Sequence, residues 1–288
     1  MKTKKESLVP QPLINFVHAN GIVATAYSEF FSLLQHNVLA KHQYVHDPAF
    51  PLNNHWTNQV DELLDYLGKY AQQPVIGMGH SFGAVVTYKA ACLRPDLFHA
   101  IVMCDPPVMT GIGGLLFGWS KKTRWIDKIT PAKMSMARKQ VWPKDTNIVQ
   151  YFANKPLFKA LTPNAVYGYA TGITAIPSGQ TVNQESVNDS LSNRHSYALT
   201  YRADLEANTF RTIPHDIDDF KGTLKVPGLL LTGTQTNVTY PYFRKRFMKN
   251  NPQLLHREVE GGHMFVLENP VSTSAQINDF LGQLTCPV

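Results

Sequence analysis

Cysteine is scarce in this chain, with three residues (Cys92, Cys104 and Cys286) in 288. So few thiols, so widely spaced, make neither a disulfide framework nor a zinc-ligand pattern, and a reducing cytoplasm is the simplest expected compartment. Cys104 stands in an apolar run and reads as a buried thiol. Long hydrophobic runs are also missing. None reaches the roughly 18 residues that a membrane-spanning helix needs. The basic opening MKTKKESLVPQP is not followed by the apolar stretch of a signal peptide. Charged residues amount to only 17% against 43% hydrophobic, with 15 Phe. That balance excludes an intrinsically disordered chain and supplies a sizeable core.

Positive charge is present but uneven. The net charge is +6, and between Lys121 and Lys159 ten Lys or Arg stand against two Asp. Such an excess raises nucleic acid or an acidic membrane surface as partners. No basic-aromatic recognition module surrounds it, so nucleic acid is not expected. A solvated helical face is the simpler account.

The chain then alternates apolar strands with helical patterns. Leu13 to Val17 reads as a strand, Thr25 to about Gln35 as a helix and His42 to His46 as a short second strand. Between Trp56 and Tyr70, Val60, Leu63, Leu64 and Leu67 recur at helical spacing. Pro74 to Met78 is a strand, Phe82 to Leu93 a helix and Ala100 to Cys104 a strand. After Asp105 the pattern becomes irregular. Order returns with strands at Val226 to Leu231 and Leu254 to Val259, and helices near Tyr240 to Lys249 and from Val271 to Leu284. Alternation of this kind predicts an α/β fold with a mostly parallel sheet flanked by helices. The core is expected in two pieces, residues 1–105 and 220–288, with 106–219 inserted as a helical lid or cap.

Chemistry enters at Gly79-His80-Ser81-Phe82-Gly83, a G-x-S-x-G pentapeptide. Alone it is a weak signal. Here it follows an apolar strand and opens an amphipathic helix, the context in which such a Ser sits on a strained turn as a nucleophile. The competing reading is a Ser at an ordinary helix start. A Ser hydroxyl needs a base, which in this topology comes late in the chain. Gly261-Gly262-His263 follows the last strand, so His263 is the expected general base among eleven His.

HANG after the first strand, GHSFGA at the elbow and GGHMFVLENP before the last helix together resemble the α/β-hydrolase superfamily. Within it they are similar to a lid-bearing bacterial serine hydrolase group with an H-A-N-G segment. The resemblance covers about 13–105 and 220–288. It implies acyl-enzyme chemistry with no cofactor and no metal, and an oxyanion hole. One donor would be the backbone N–H of Phe82; the other would come from Asn20, with Ile22 as the alternative. Relatives usually begin with an antiparallel hairpin, for which the residues before Leu13 leave little room, so a shorter sheet is expected. Their acid usually lies in a segment G-x-x-(S/T)-D-V. This chain reads Gly233-Thr234-Gln235-Thr236-Asn237-Val238, with Asn237 at the acid position. An amide cannot stabilise an imidazolium. Some relatives carry the carboxylate after the preceding core strand, where Asp105 stands, and Asp105 is therefore the expected acid. Asp218 and Asp219 precede a strand and lie at the wrong end of it.

The expected substrate is a small-molecule carboxylic ester or thioester with an apolar acyl group. C–C or amide hydrolysis on the same residues, and a non-catalytic ligand-binding protein, are the alternatives. Phe152, Phe158, Tyr167 and Tyr169 are candidates for lining an acyl pocket, with core packing as the competing account. Ile112 to Trp119 (IGGLLFGW), followed by Lys121-Lys122-Thr123-Arg124-Trp125, has the order of a segment at a lipid interface. A weak membrane-surface contact through the basic insert is set against plain packing onto the core. Oligomeric state is not legible.

Overall fold

The computed structural model describes residues 12–176 and 196–285. The basic opening segment, the polar stretch at 177–195 and Cys286 lie outside the described residues. In chain order the strands are β1 (Ile14–Val17), β2 (Val38–Ala40), β3 (Val75–His80), β4 (Phe98–Cys104), β5 (Val141–Pro143), β6 (Thr174–Ala175), β7 (Ser196–Leu199), β8 (Gly228–Gly233) and β9 (Leu254–Val259). Six of them form one sheet in the order β2-β1-β3-β4-β8-β9. Every pairing in it is parallel. Among the described residues no antiparallel strand joins this sheet; the positions where a leading hairpin would fall lie outside the described residues.

Both faces of the sheet are covered, which is why the strands read as apolar runs rather than alternating ones. Ile76, Met78, Ala100, Val102, Leu229 and Leu231 point to one face, where Ile277, Phe280 and Leu281 of the helix Pro270–Thr285 join them. Val75, Ile101, Met103 and Leu230 point to the other, against the helices Thr57–Tyr70 and Phe82–Leu93. In the first of these helices Val60, Leu63 and Leu67 are buried at helical spacing. No helix among the described residues is long and apolar enough to cross a membrane.

The second strand lies elsewhere than expected. Val38–Ala40, not His42 to His46, pairs with β1. The later stretch turns across the sheet edge instead. Tyr44 N–H donates to the His18 ring, and Val45 takes φ 76, which no strand permits. The helix expected over Thr25 to Gln35 is shorter too, a 3-10 turn Ala24–Tyr27 followed by Ser28–Ser32.

Between β4 and β8 the chain is less irregular than its sequence. It forms short helices, including Gly111–Ser120, Ile148–Ala153, Pro163–Ile173 and Ala203–Arg211, and a small antiparallel sheet in the order β5-β7-β6. Trp142, Phe152, Phe158 and Tyr169 stack edge to face or tilted, with ring centroids 4.6 to 5.6 Å apart, and bury together with Phe16 of the main core. Core packing therefore accounts for Phe152, Phe158 and Tyr169, while Tyr167 is exposed. A buried polar knot ties the segment together. Glu206 accepts from Ser135 Oγ at 2.7 Å and pairs with Arg138, which also reaches Tyr169 Oη.

Candidate active site

Parallel strands end on the same side, so β3 and β4, being neighbours, deliver Ser81 and Asp105 side by side. The ladder holds both ends in place: Ser81 N–H donates to Cys104 O at 2.8 Å and Asp105 N–H to Leu231 O at 2.8 Å. Each residue then leaves its strand in the left-handed region, Ser81 with φ 54 and Asp105 with φ 47. Such a conformation costs roughly 1–3 kcal/mol in a non-glycine residue and persists only where the surroundings impose it. Around Ser81 the imposition is visible. A Cβ on Gly79 would lie 2.2 Å from Gly83 O, and one on Gly83 would lie 2.0 Å from Val17 O. Only glycines let the three backbone segments close on one another there.

His263 arrives from the loop after β9. That loop packs on the turn after β8 so closely that a Cβ on Gly233 would sit 2.3 Å from Gly262 O. Gln235 N–H donates to Gly261 O at 2.9 Å, and Glu268 accepts from Gly262 N–H at 2.8 Å. So anchored, the His263 ring spans the two strand ends. Nδ1 lies 2.6 Å from Asp105 Oδ2 and Nε2 lies 3.0 Å from Ser81 Oγ. A carboxylate only accepts, so Nδ1 carries the proton and Nε2 is the acceptor facing the Ser81 hydroxyl. The Asp105 side chain is fully buried, whereas that of His263 keeps 23% of its surface open.

The structure brings Ser81, His263 and Asp105 together and leaves Asn237 outside the group. Asn237 is exposed and makes none of the hydrogen bonds around the Asp105–His263 pair. Its neighbour Thr236 does. The Thr236 hydroxyl accepts from Val238 N–H at 3.0 Å and donates to Asp105 Oδ2. Asp218 and Asp219 are not at the site; Asp218 accepts from Gly111 N–H at 2.7 Å.

On the loop after β1, Ile22 N–H is engaged with Ala19 O at 3.1 Å, and Ala19 N–H with Tyr27 Oη at 3.2 Å. The Asn20 side chain reaches away to the segment between β4 and β8, with Nδ2 donating to Glu206 O at 3.0 Å and Oδ1 accepting from Tyr201 at 3.3 Å. Asn20 thus has its backbone N–H, not its amide side chain, to contribute. Phe82 is the first residue of its helix, where an N–H has no intrahelical acceptor.

Two buried imidazoles complete the neighbourhood, and sequence reasoning missed both. His80 Nδ1 accepts from Tyr27 Oη at 2.8 Å, and its Nε2–H donates to the backbone carbonyl of His263 at 2.9 Å. His18 Nδ1–H donates to Ala19 O at 2.8 Å while Nε2 accepts from Tyr44 N–H at 2.8 Å. Burial pushes the His80 pKa down to about 3, helped by the nearby His263, and that of His18 down to about 4. Both rings are therefore neutral hydrogen-bonding spacers near neutral pH, each with one donor and one acceptor used. The signal was there in outline, since both His lie inside the HANG and GHSFG strings, but with eleven His in the chain nothing marked these two as paired.

A strained Ser at a strand-to-helix turn, a base loop from the last strand and a buried carboxylate can generate a serine nucleophile, and the sheet order is that of a known class. The chain belongs to the alpha/beta hydrolase family, whose profile matches residues 16–276. Curated relatives include the type I acyl-CoA thioesterase mpaH of Penicillium brevicompactum, 22% identical over 183 residues, and that of Penicillium roqueforti, 23% identical over 185 residues; each match takes in 57% of this chain and 40% of the relative. The chain thus spans well under half the length of those relatives. Among solved structures it is similar to E-2-(acetamidomethylene)succinate hydrolase, with a TM-score of 0.73 at 17% identity over 94% of this chain and 91% of that one. The peroxisomal alpha-beta-hydrolase Lpx1 of Saccharomyces cerevisiae gives a TM-score of 0.71 at 15% identity, covering 96% of this chain and 78% of that one. At such identities the likeness is one of fold.

Proposed function

We propose that the protein is a serine hydrolase that cleaves a carboxylic ester or thioester with an apolar acyl group through an acyl-enzyme intermediate. The observation that carries this reading is the continuous line from Ser81 Oγ through the His263 ring to Asp105, at 3.0 and 2.6 Å. Ser81 attacks the carbonyl carbon as His263 Nε2 takes its proton. His263 returns that proton to the leaving alcohol or thiol, then draws one from water to release the acid. Asp105 holds the ring in the right tautomer and stabilises the imidazolium, and Thr236 fixes Asp105. The backbone N–H groups of Phe82 and Asn20 form the oxyanion hole, aided by the N-terminus of the helix Phe82–Leu93. The segment between β4 and β8 acts as a lid over the carboxyl ends of these strands.

The thioester half of the reading draws support from the fungal relatives, which are acyl-CoA thioesterases by name. Cys92 and Cys104 are both free thiols, which suits a reducing cytoplasm. The test is labelling with a fluorophosphonate probe and mapping the adduct. Attachment at Ser81 that disappears in Ser81→Ala and fades in His263→Ala is expected. A well-folded protein that takes up no probe would instead mean a binding protein on a hydrolase frame.

A further inference from the structure

The helix Gly111–Ser120 wears its apolar residues on the outside. Ile112, Leu115, Leu116 and Trp119 fall at i, i+3, i+4 and i+7, one stripe of a helix, and each is 64% to 71% exposed. A helix that packs on a core ordinarily turns such a stripe inward. Here the inward face is built from Gly114, Phe117 and Ser120, with Gly113 and Gly118 packed close beside them. A Cβ on Gly113 would lie 2.4 Å from the Phe243 ring, one on Gly114 would lie 3.0 Å from Met109 O, and one on Gly118 would lie 2.5 Å from the His215 ring. Small residues let the helix lie close to the body while Ile112, Leu115, Leu116 and Trp119 face away. Folding of this chain gains nothing from that arrangement.

The stripe does not stop at the helix end. Trp125 and Ile129 continue it, 63% and 52% exposed. Around them stand Lys122, Arg124 and Lys128, all exposed, and among the described residues none of the three enters an ion pair. The nearby carboxylates are taken up elsewhere, Asp127 by Arg211 at 2.7 Å and Asp218 by Gly111 N–H at 2.7 Å and Arg246 at 3.3 Å. An apolar stripe with tryptophans, collared by cations that hold no carboxylate, is the composition of a segment that lies in a membrane interface. Cations beside it meet the phosphates of anionic lipid.

We propose that this face, Ile112, Leu115, Leu116, Trp119 and Trp125 within their basic collar, docks the protein on the surface of an anionic lipid bilayer. The charge decides the occupant. In a symmetric pair of copies the same patch would face itself and bring the two collars together, like charge against like. An anionic headgroup layer matches both the stripe and the collar. The helix, at ten residues, is about 15 Å long and lies along the surface rather than across it. The inference stands apart from the role of Ser81, and would hold for a binding protein as well.

The test is sedimentation of the full chain with phosphatidylcholine vesicles containing phosphatidylglycerol, against vesicles of phosphatidylcholine alone. Binding to the anionic vesicles that weakens with added salt is expected. Leu115→Ser/Leu116→Ser/Trp119→Ser and Lys122→Glu/Arg124→Glu/Lys128→Glu should each reduce it at least about tenfold, because both apolar and electrostatic contributions are needed. These side chains are exposed, so all variants should keep the wild-type melting temperature and the wild-type labelling of Ser81 without lipid, a readout that separates this proposal from the hydrolase reading. Three outcomes would overturn it. One is a folded wild type that stays in the supernatant. Another is binding that survives the apolar triple substitution. The third is a wild-type dimer by light scattering that the same substitution turns into monomer, which would give the face to a second copy.

Discussion

Two helices of this protein are rich in apolar residues and glycine or alanine, and the fold treats them in opposite ways. Phe82–Leu93 is buried from Phe82 through Ala91, wedged between the sheet and the helix Thr57–Tyr70. Gly111–Ser120 buries only Gly114, Phe117 and Ser120. Both use glycines for close approach. At the elbow they bring backbone to backbone and fix Ser81 in its turn. In the outer helix Gly113 and Gly118 bring backbone to side chain, and Ile112, Leu115, Leu116 and Trp119 stay in solvent. Apolar composition therefore tells that a surface will leave water, but not whether it does so inside the chain or against something else.

Experiments can press on that contrast, and the largest effect should come from the buried side. Asp105→Asn is expected to lower kcat by roughly ten-thousandfold, the scale of losing the carboxylate behind a catalytic imidazole. The fold should survive, since Asn tolerates the left-handed backbone that Asp105 adopts. A near-normal rate would move the acid elsewhere. Next in size, Gly83→Ala should cost roughly 3 kcal/mol or more, because the new methyl meets the Val17 carbonyl rather than a movable side chain. Gly113→Ala in the outer helix meets only the edge of the Phe243 ring, and its loss should stay under about 1 kcal/mol once helix propensity is returned. Thermal or urea denaturation of the two variants compares them directly, and equal losses would dissolve the contrast.

Thr236→Val removes a donor to a buried carboxylate and should reduce turnover about tenfold without unfolding the chain. Asn237→Asp in the native background should change little, because position 237 touches nothing at the site.

Acid should also act on the buried region. The folded-state pKa values of His18 and His80 lie far below the ordinary 6.5, near 4 and 3. Between those values and 6.5 the unfolded chain binds protons that the folded one refuses, so stability falls as pH drops through that window. Urea midpoints at pH 7, 5 and 4 should show a decline that His80→Gln makes shallower. An unchanged slope would mean that His80 is not held neutral. The smallest effect belongs to the outer helix, where Leu115→Ser/Leu116→Ser should shift stability by no more than about 0.5 kcal/mol.

Much of the buried region was legible in the sequence and little of the outer one. The strands β3, β4 and β8 announce themselves because burial on both faces forces nearly continuous apolar runs, whereas β9 at the sheet edge is half polar. Ser81 and His263 could be named because a strand-to-helix turn and a late loop restrict which residues can meet. Asp105 needed the family resemblance as well, since an acid at the end of a strand has a structural reading of equal weight. What escaped was whatever depends on a partner distant in sequence. Val38–Ala40 is three residues long and half-buried, so its strand character comes from β1 rather than from itself. Thr236 becomes significant only when Asp105, more than a hundred residues away, arrives beside it. The orientation of Gly111–Ser120 is set by where its glycines find contacts, and nothing local records that.

The His80 ring has one more consequence. Through Tyr27 it is tied to the loop after β1, and through its other nitrogen to the main chain of His263. It works as a strut of fixed length, cut to the gap between the piece of chain that would cradle a developing negative charge and the piece that would move the proton. Those two pieces cannot drift apart independently. A side chain of another length at position 80 would slacken both at once, far from any reacting bond, and the enzyme would lose its alignment as a whole rather than one function at a time.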